Sequence, residues 1–320
     1  MKVLPRFPPT SFAIPFGLAG LASVWRQMAD FYGTPGAVSD VLFIAAVVCW
    51  SLLAVAAAGR MVREPRAILG ELRDPVLSPF WSLPWVVGMD LAIGLEPHAY
   101  GAAKAAFVVF FVATILFGGL ITGEWIIMEL DRSEFHPGYI LPTVAGGFVA
   151  AIGAGGFGLR GLGWLSFGIG IVSWLVLTSL TLNRLLFVTM LPAALMPTVI
   201  FEAAPAALAG TAYFELHGPV PDPAVYGITG YLVLMVLVQL RLLPIYGRLK
   251  FTPGFWAFTF PSAVIAGFAL TWLHIERPAG QAAYSVLVLA AVSLLIGAIT
   301  ARSLIAIARG QFLPGPGNPN

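Results

Sequence analysis

Cysteine is almost absent from this chain, which carries only Cys49 in 320 residues. An intrachain disulfide is therefore impossible, and a single thiol gives no information on the redox compartment. Charge is also scarce, because Asp, Glu, Lys and Arg together make up only 10% of the residues. So few charged side chains cannot cover the surface of a soluble domain, and this composition excludes a soluble globular protein.

Motifs for metals, nucleotides and catalytic nucleophiles are missing as well. The sequence contains no H-E-x-x-H, no Cys/His cluster, no Walker loop and no G-x-S-x-G. These absences predict a protein that is not an enzyme, holds no metal and uses no cofactor. With a net charge of only +2, the chain is also not expected to bind nucleic acid.

Long apolar runs fill the chain instead. Hydrophobic residues make up 59% of the sequence, and the mean hydropathy is +0.90. About 20 apolar residues are needed for a helix to cross roughly 30 Å of hydrocarbon. The chain supplies ten such runs with little between them, which we place at 11–29, 38–59, 77–95, 100–122, 139–158, 162–182, 190–215, 224–243, 254–274 and 281–308.

Prolines distinguish the odd-numbered runs from the even-numbered ones. Pro15, Pro84, Pro142, Pro205 and Pro261 recur about 60 residues apart, one in each odd-numbered run. A proline inside a helix leaves the carbonyl four residues earlier without a donor, which is costly in hydrocarbon. We therefore expect the five broken helices to line a central pore and the five smooth helices to face lipid.

The predicted fold is thus an all-α integral membrane protein. Its ten transmembrane helices form five helical hairpins in a quasi-five-fold arrangement around the pore. Residues 1–310 make a single transmembrane channel domain, and residues 311–320 a short, disordered tail. The alternative is that the prolines serve only as packing kinks.

Basic residues indicate the orientation. Thirteen of the 17 Lys and Arg residues fall on the side that carries both termini and the loops after the even-numbered spans. The positive-inside rule then predicts a multi-pass protein of the inner (plasma) membrane with both termini in the cytoplasm.

Two carboxylates lie deep in the apolar runs, Asp90 and Glu202. Ionisable groups at membrane depth are costly, so each is a functional candidate. Glu202 lies one turn before Pro205, near the expected lumen, where it is either a proton-linked group or a protonated structural carboxyl. Asp90 is interpreted as a hydrogen-bonding partner of a neighbouring helix or arginine.

The expected lumen favours anions. Helices broken at proline present half-helix N-termini, whose dipoles attract negative charge, and rings of Asp or Glu that would select cations are not found. Phe260 directly precedes Pro261. A bulky ring at that position is a candidate gate, and an ordinary packed aromatic side chain is the alternative.

Several motifs together resemble the tellurite-resistance and C4-dicarboxylate transporter family, which includes plant slow anion channels. They are FPPTSFAIPFGLAG, HPGYILPTVA, LMPTVIFEAAP, LRLLPIY, WAFTFP and the final GQF, and they extend over nearly the whole chain. The resemblance implies a ten-helix protomer with one pore, assembled as a homotrimer. It also implies an occluding phenylalanine at Phe260 and a small pore-lining residue at Ala13.

The sequence therefore predicts an anion channel or transporter gated by Phe260. Its expected partners are permeating chloride, nitrate or dicarboxylate and the lipid bilayer. Ala13, Glu202 and the five prolines of the odd-numbered runs are the expected pore-lining residues. Two alternatives stay open: a proton-coupled carrier for malate-like dicarboxylates, and a membrane-embedded enzyme or lipid-binding protein.

Overall fold

The computed structural model describes residues 7–312, and these residues form only helices and loops. Lys2 and Arg6 lie outside the described residues, as does the predicted tail beyond Phe312. The helices are α1 Ala13–Tyr32, α2 Ala37–Arg63, α3 Pro65–Leu72, α4 Leu83–Gly94, α5 Tyr100–Ile127, α6 Gly146–Gly156, α7 Arg160–Phe187, α8 Ala204–His217, α9 Pro223–Tyr246, α10 Thr259–Glu276 and α11 Gln281–Ala308.

Helices coincide with all ten predicted spans, and only α3 was not expected. Eight helical segments of the described chain are long and apolar enough to cross a membrane. The segments of α1 and α4 are not among them. The second half of α1 carries Arg26 and Asp30, and the 3₁₀ segment Ser78–Ser82 and α4 are 5 and 12 residues long, short of roughly 20. The helical membrane fold is confirmed, while the number of ten spans stays a prediction.

Five helices form a closed inner ring. Along the ring, α1 packs against α4, α4 against α6, α6 against α8, α8 against α10, and α10 against α1 again. The other long helices pack on the outside, with α2, α5, α7 and α11 each contacting two inner helices. In the most apolar 18-residue stretch of each segment, 83% of the residues are buried in Met196–His217 but only 11% in α2. The predicted inner and outer rings are therefore confirmed.

The sequence predicted that the prolines interrupt the middle of a helix, and this prediction is wrong. In each inner span a short 3₁₀ segment comes first, and the proline lies in the first turns of the helix that follows it. Pro84 and Pro205 are the second residues of α4 and α8, Pro15 and Pro261 the third of α1 and α10, and Pro142 lies in a π-helical turn before α6. A proline at the junction between the 3₁₀ segment and the α-helix removes one backbone hydrogen bond there and leaves the α-helical bonds beyond it intact.

Small residues allow the inner helices to approach each other closely. A Cβ added at Gly20 of α1 would come within 2.9 Å of the Ala263 Cβ and 3.2 Å of the Phe260 Cδ2. Any side chain at this position would therefore push α1 away from α10 or displace the Phe260 ring. Close helix contact through small residues is typical of membrane proteins, where lipid is as apolar as the helix surface.

Candidate functional site

Two cavities follow one another along the axis of the inner ring. The first, here called the lower cavity, has a volume of about 80 Å³ and lies where the five inner spans begin. The second, the upper cavity, has a volume of about 420 Å³ and lies between the later turns of the same helices. All five inner spans contribute residues to both cavities. The ring therefore encloses an axial path that is divided into two parts.

Phe260 and Leu208 are the residues that line both cavities. They belong to α10 and α8, and both side chains are buried, with Phe260 only 7% exposed. The Phe260 ring also stacks on Phe16 of α1, with the ring centroids 3.3 Å apart and the planes 15° apart. Apolar side chains from three inner helices thus occupy the point where the two cavities meet.

The lower cavity is apolar, and it is surrounded by helix N-termini. Among residues 7–312 its lining contains no charged side chain, and Thr10 and Thr198 supply its only side-chain hydroxyl groups. One outer helix runs back between consecutive inner spans, so all five inner helices point in the same direction. Their N-terminal ends meet at this cavity, where the helix dipoles provide positive potential.

The upper cavity carries charge of mostly one sign. Arg26 is bound to Asp40 at 2.6 Å, and the His98 Nε2 lies 3.4 Å from the same carboxylate oxygen. The other carboxylates of the cavity form no ion pair within residues 7–312; they are Asp30, Asp90, Glu96 and Glu215. Asp30 and Glu96, together with the helix C-termini at this end, make the upper cavity negative relative to the lower one.

Four of the eight predicted site residues line the axial path. Ala13, Pro205, Phe260 and Pro261 all contribute to the lower cavity. The other four line neither axial cavity; they are Pro15, Pro84, Pro142 and Glu202. The roles predicted for all eight, pore lining and gating, stay predictions.

Glu202 instead faces the outer ring. Its side chain is 2% exposed and lies beside the Thr178 and Thr181 hydroxyls of α7. Neither carboxylate oxygen makes a well-formed hydrogen bond within the described residues, and the Thr181 hydroxyl donates to the Leu177 carbonyl at 2.8 Å. This environment favours the second of the two alternatives that the sequence left open for Glu202, a structural carboxyl, over a group in the lumen.

His136 has a structural role at the start of the α6 span. Its Nδ1 accepts the Gly138 N–H at 3.1 Å, and its Nε2 lies 3.1 Å from the Val76 carbonyl, which it contacts as donor. Burial of the ring lowers the pKa of His136 to about 4, so the imidazole stays neutral at physiological pH. Within the described residues, no three His, Cys, Asp or Glu side chains are grouped to hold a metal ion.

Sequence reasoning missed Phe16 and Leu208. Both lie on inner helices shortly after a proline. Phe16 directly follows Pro15, and Leu208 lies three residues after Pro205. One sequence signal could have found Phe16: a phenylalanine lies directly beside the proline in α1, as Phe260 lies beside Pro261 in α10. Which of the 23 phenylalanines meet on the axis still depends on how the ring of helices closes.

Comparison with known proteins matches this architecture to one family. The family model described as SLAC1, voltage-dependent anion channel, matches residues 6–307. The Haemophilus influenzae "Tellurite resistance protein TehA homolog" is 28% identical over 98% of this chain and 95% of its own length. The Arabidopsis thaliana "S-type anion channel SLAH2" and "Guard cell S-type anion channel SLAC1" are 23% and 26% identical over 82% and 80% of this chain. The chain spans about half the length of these plant channels, 51% and 48%. Since the family model covers almost the entire sequence, this chain belongs to the SLAC1 family.

Proposed function

We propose that this protein is an anion channel that conducts along the axis of the inner ring and is closed by the Phe260 ring. The observation that carries the proposal is the pair of cavities on one axis, with Phe260 between them. Membership of the SLAC1 family supports the same class, an anion channel or transporter. The family also argues against an enzyme, since the relatives named above are channels or resistance proteins.

The selectivity follows from the lower cavity. An anion that enters it loses water, and none of the described lining residues is a basic side chain that could compensate for that loss. The N-termini of five parallel helices provide the compensation, because their dipoles sum at one point. Small inorganic anions or small carboxylates fit a cavity of about 80 Å³ once the ring moves aside. Cations are repelled at the same place.

The function is tested by reversal potentials in a planar bilayer that contains the purified protein, with mixed chloride, nitrate and malate. For a tenfold chloride gradient we expect the current to reverse toward the chloride equilibrium potential, about 59 mV away from zero for a perfectly selective monovalent pathway. Reversal toward the cation potential, or the absence of any flux, contradicts the proposal. Absence of flux would favour the membrane-embedded enzyme or lipid-binding alternative.

We infer that residues 1–310 act as one transmembrane domain in the inner (plasma) membrane, followed by the tail 311–320. Both termini are cytoplasmic, so the lower cavity opens toward the cytoplasm; the distribution of Lys and Arg supports this orientation. Assembly as a homotrimer follows from the family resemblance.

A proton-coupled dicarboxylate carrier is the second candidate function. The unpaired carboxylates of the upper cavity favour it, because a group such as Asp90 can exchange a proton with the solvent side. A carrier of this kind saturates with substrate and depends on the proton gradient, and it shows no unitary current steps.

Neutralising Glu202 and Asp90 separates the two candidates. If the protein is a channel, Glu202→Gln and Asp90→Asn each leave malate flux within about twofold of wild type, because neither residue lies at the point where the cavities meet. Uptake into liposomes with and without an imposed pH gradient measures this. A flux that depends on the gradient in wild type, and loses that dependence in Glu202→Gln or Asp90→Asn, would establish the carrier instead.

A further inference from the structure

A third cavity lies outside the ring, on the side of the protein that faces lipid. It has a volume of about 540 Å³ and lies between α2, α3, α4 and α5; we call it the lateral groove. Its walls are almost entirely apolar and include Trp50 of α2, Trp85 of α4 and Phe117 of α5. Leu120 on its rim is 74% exposed, so the groove opens sideways from the protein.

The helix α3 covers one end of the lateral groove. This helix is amphipathic, with Ile68, Leu69 and Leu72 directed to the groove. Two ion pairs hold it there, Arg60 to Glu71 at 2.6 Å and Arg73 to Glu124 at 3.1 Å. The first ties α3 to α2 and the second ties its end to α5. A short amphipathic helix held across two membrane helices is typical of an element that lies in the membrane interface.

Charge is confined to the covered end. In the part of the chain that the structure describes, Arg73 and Glu124 are the only charged residues that line the groove. Arg73 uses its Nε for Glu124 and leaves the other guanidinium donors free, with 62% of its side chain exposed. Arg66 lies three residues before Leu69 and seven before Arg73, so it shares their face of α3. Arg66 is exposed and forms no ion pair within the part of the chain described.

We propose that the lateral groove binds one anionic phospholipid. An acyl chain lies in the apolar part, and the phosphate is held by Arg66 and Arg73 at the covered end. The groove matches this ligand because it is apolar along most of its length and charged only at the covered end, where Arg66 and Arg73 together exceed Glu124 by one positive charge. Trp81 adds a buried indole N–H that has no hydrogen-bond partner within the described residues and belongs to the groove lining.

The bound lipid touches the reverse side of a pore segment. Phe80 and Leu83 line the lower cavity, whereas Trp81 and Pro84, the neighbouring residues, line the lateral groove. The Trp50 indole also donates to the Pro84 carbonyl at 3.0 Å. A chain in the groove therefore supports the start of α4 from the side opposite the axial path. The site is independent of the proposed function, since it is defined without reference to conduction.

The test measures retained lipid and not current. The protein is equilibrated with vesicles of equal phosphatidylglycerol and phosphatidylethanolamine, purified in mild detergent, and analysed by native mass spectrometry. Wild type is expected to keep about one phosphatidylglycerol per chain. Ala54→Trp places an indole inside the groove and should lower that occupancy about tenfold, the loss expected when a few buried CH₂ groups are displaced.

Two further variants keep the proposal falsifiable. Ala56→Trp, on the same helix but outside the groove lining, should retain lipid as wild type does. The double variant Arg66→Gln/Arg73→Gln, which changes two exposed side chains, should bind phosphatidylglycerol and phosphatidylethanolamine equally. Wild-type retention in Ala54→Trp, equal retention of both lipids by wild type, or no retained lipid overturns the proposal. A change of oligomeric mass in Ala54→Trp without a change in lipid also overturns it, since a second copy of the chain would then cover the groove.

Discussion

Replacing Phe260 with Ala is expected to raise anion conductance at least about tenfold, because an apolar constriction excludes ions by excluding water. Phe260 lines both axial cavities, so removing its ring joins the lower cavity of about 80 Å³ to the upper one of about 420 Å³. Leu208 remains at the junction and limits the opening. The measurement is single-channel conductance and open probability in a planar bilayer.

Phe258→Ala is the matched control for Phe260→Ala. Phe258 is also buried and lies two residues earlier, but it contacts Tyr246 and lines neither axial cavity. Both substitutions are expected to cost roughly 3–5 kcal/mol of folding stability, as for Phe→Ala in other cores, so currents are normalised to the amount of folded protein. Equal conductance in the two variants would remove the gate assignment.

A negative charge at the lower cavity is expected to abolish conduction. In Ala13→Asp the carboxylate lies in the path of the ion, where two like charges about 4 Å apart repel by roughly 4 kcal/mol at an effective dielectric constant of 20. Each 1.4 kcal/mol is a factor of ten, so anion flux should fall by about a hundredfold or more. The reduction is measured as initial chloride efflux from liposomes.

Ala13→Asn separates the effect of charge from that of size. Asparagine has nearly the shape of aspartate and no charge, so its flux should lie between wild type and Ala13→Asp. If the two variants reduce flux equally, the cause is steric and the electrostatic argument fails. If neither reduces it, Ala13 does not line the conducting path.

Much of the architecture could be predicted from the positions of the prolines. Alternation of proline-bearing and smooth runs separates inner from outer helices, because only a helix shielded from lipid tolerates an irregular backbone. The structure places α1, α4, α6, α8 and α10 in a closed ring, as this argument requires. The family model confirms the resemblance that the motifs from FPPTSFAIPFGLAG to WAFTFP suggested.

The local conformation at the prolines could not be predicted in the same way. The sequence predicted one continuous α-helix per span, with the proline in its interior. The spans instead begin with 3₁₀ segments such as Pro253–Phe258, and the α-helix starts just before the proline. Consequently α-helix N-termini, rather than broken helix centres, meet at the lower cavity.

The direction in which a buried side chain points could not be predicted from the sequence either. Glu202 and Pro205 are separated by about one helical turn of sequence, yet Pro205 lines the lower cavity and Glu202 lies beside α7. The residues Met196–Glu202 are 3₁₀-helical, which changes the angle between successive side chains. The helix α3 and the lateral groove were missed for another reason, since eight residues are too few for a membrane span.

By itself the sequence determined that the chain lies in a membrane, that proline-bearing helices alternate with smooth ones, and that the proline-bearing helices avoid lipid. Hydrophobicity and backbone hydrogen bonding are local properties, and both are readable residue by residue. Only the tertiary structure decided which side chains meet on the axis and which face the outer helices. That choice depends on how five helices rotate as the ring closes, and contacts such as Gly20 against Ala263 and Phe16 against Phe260 fix the rotation.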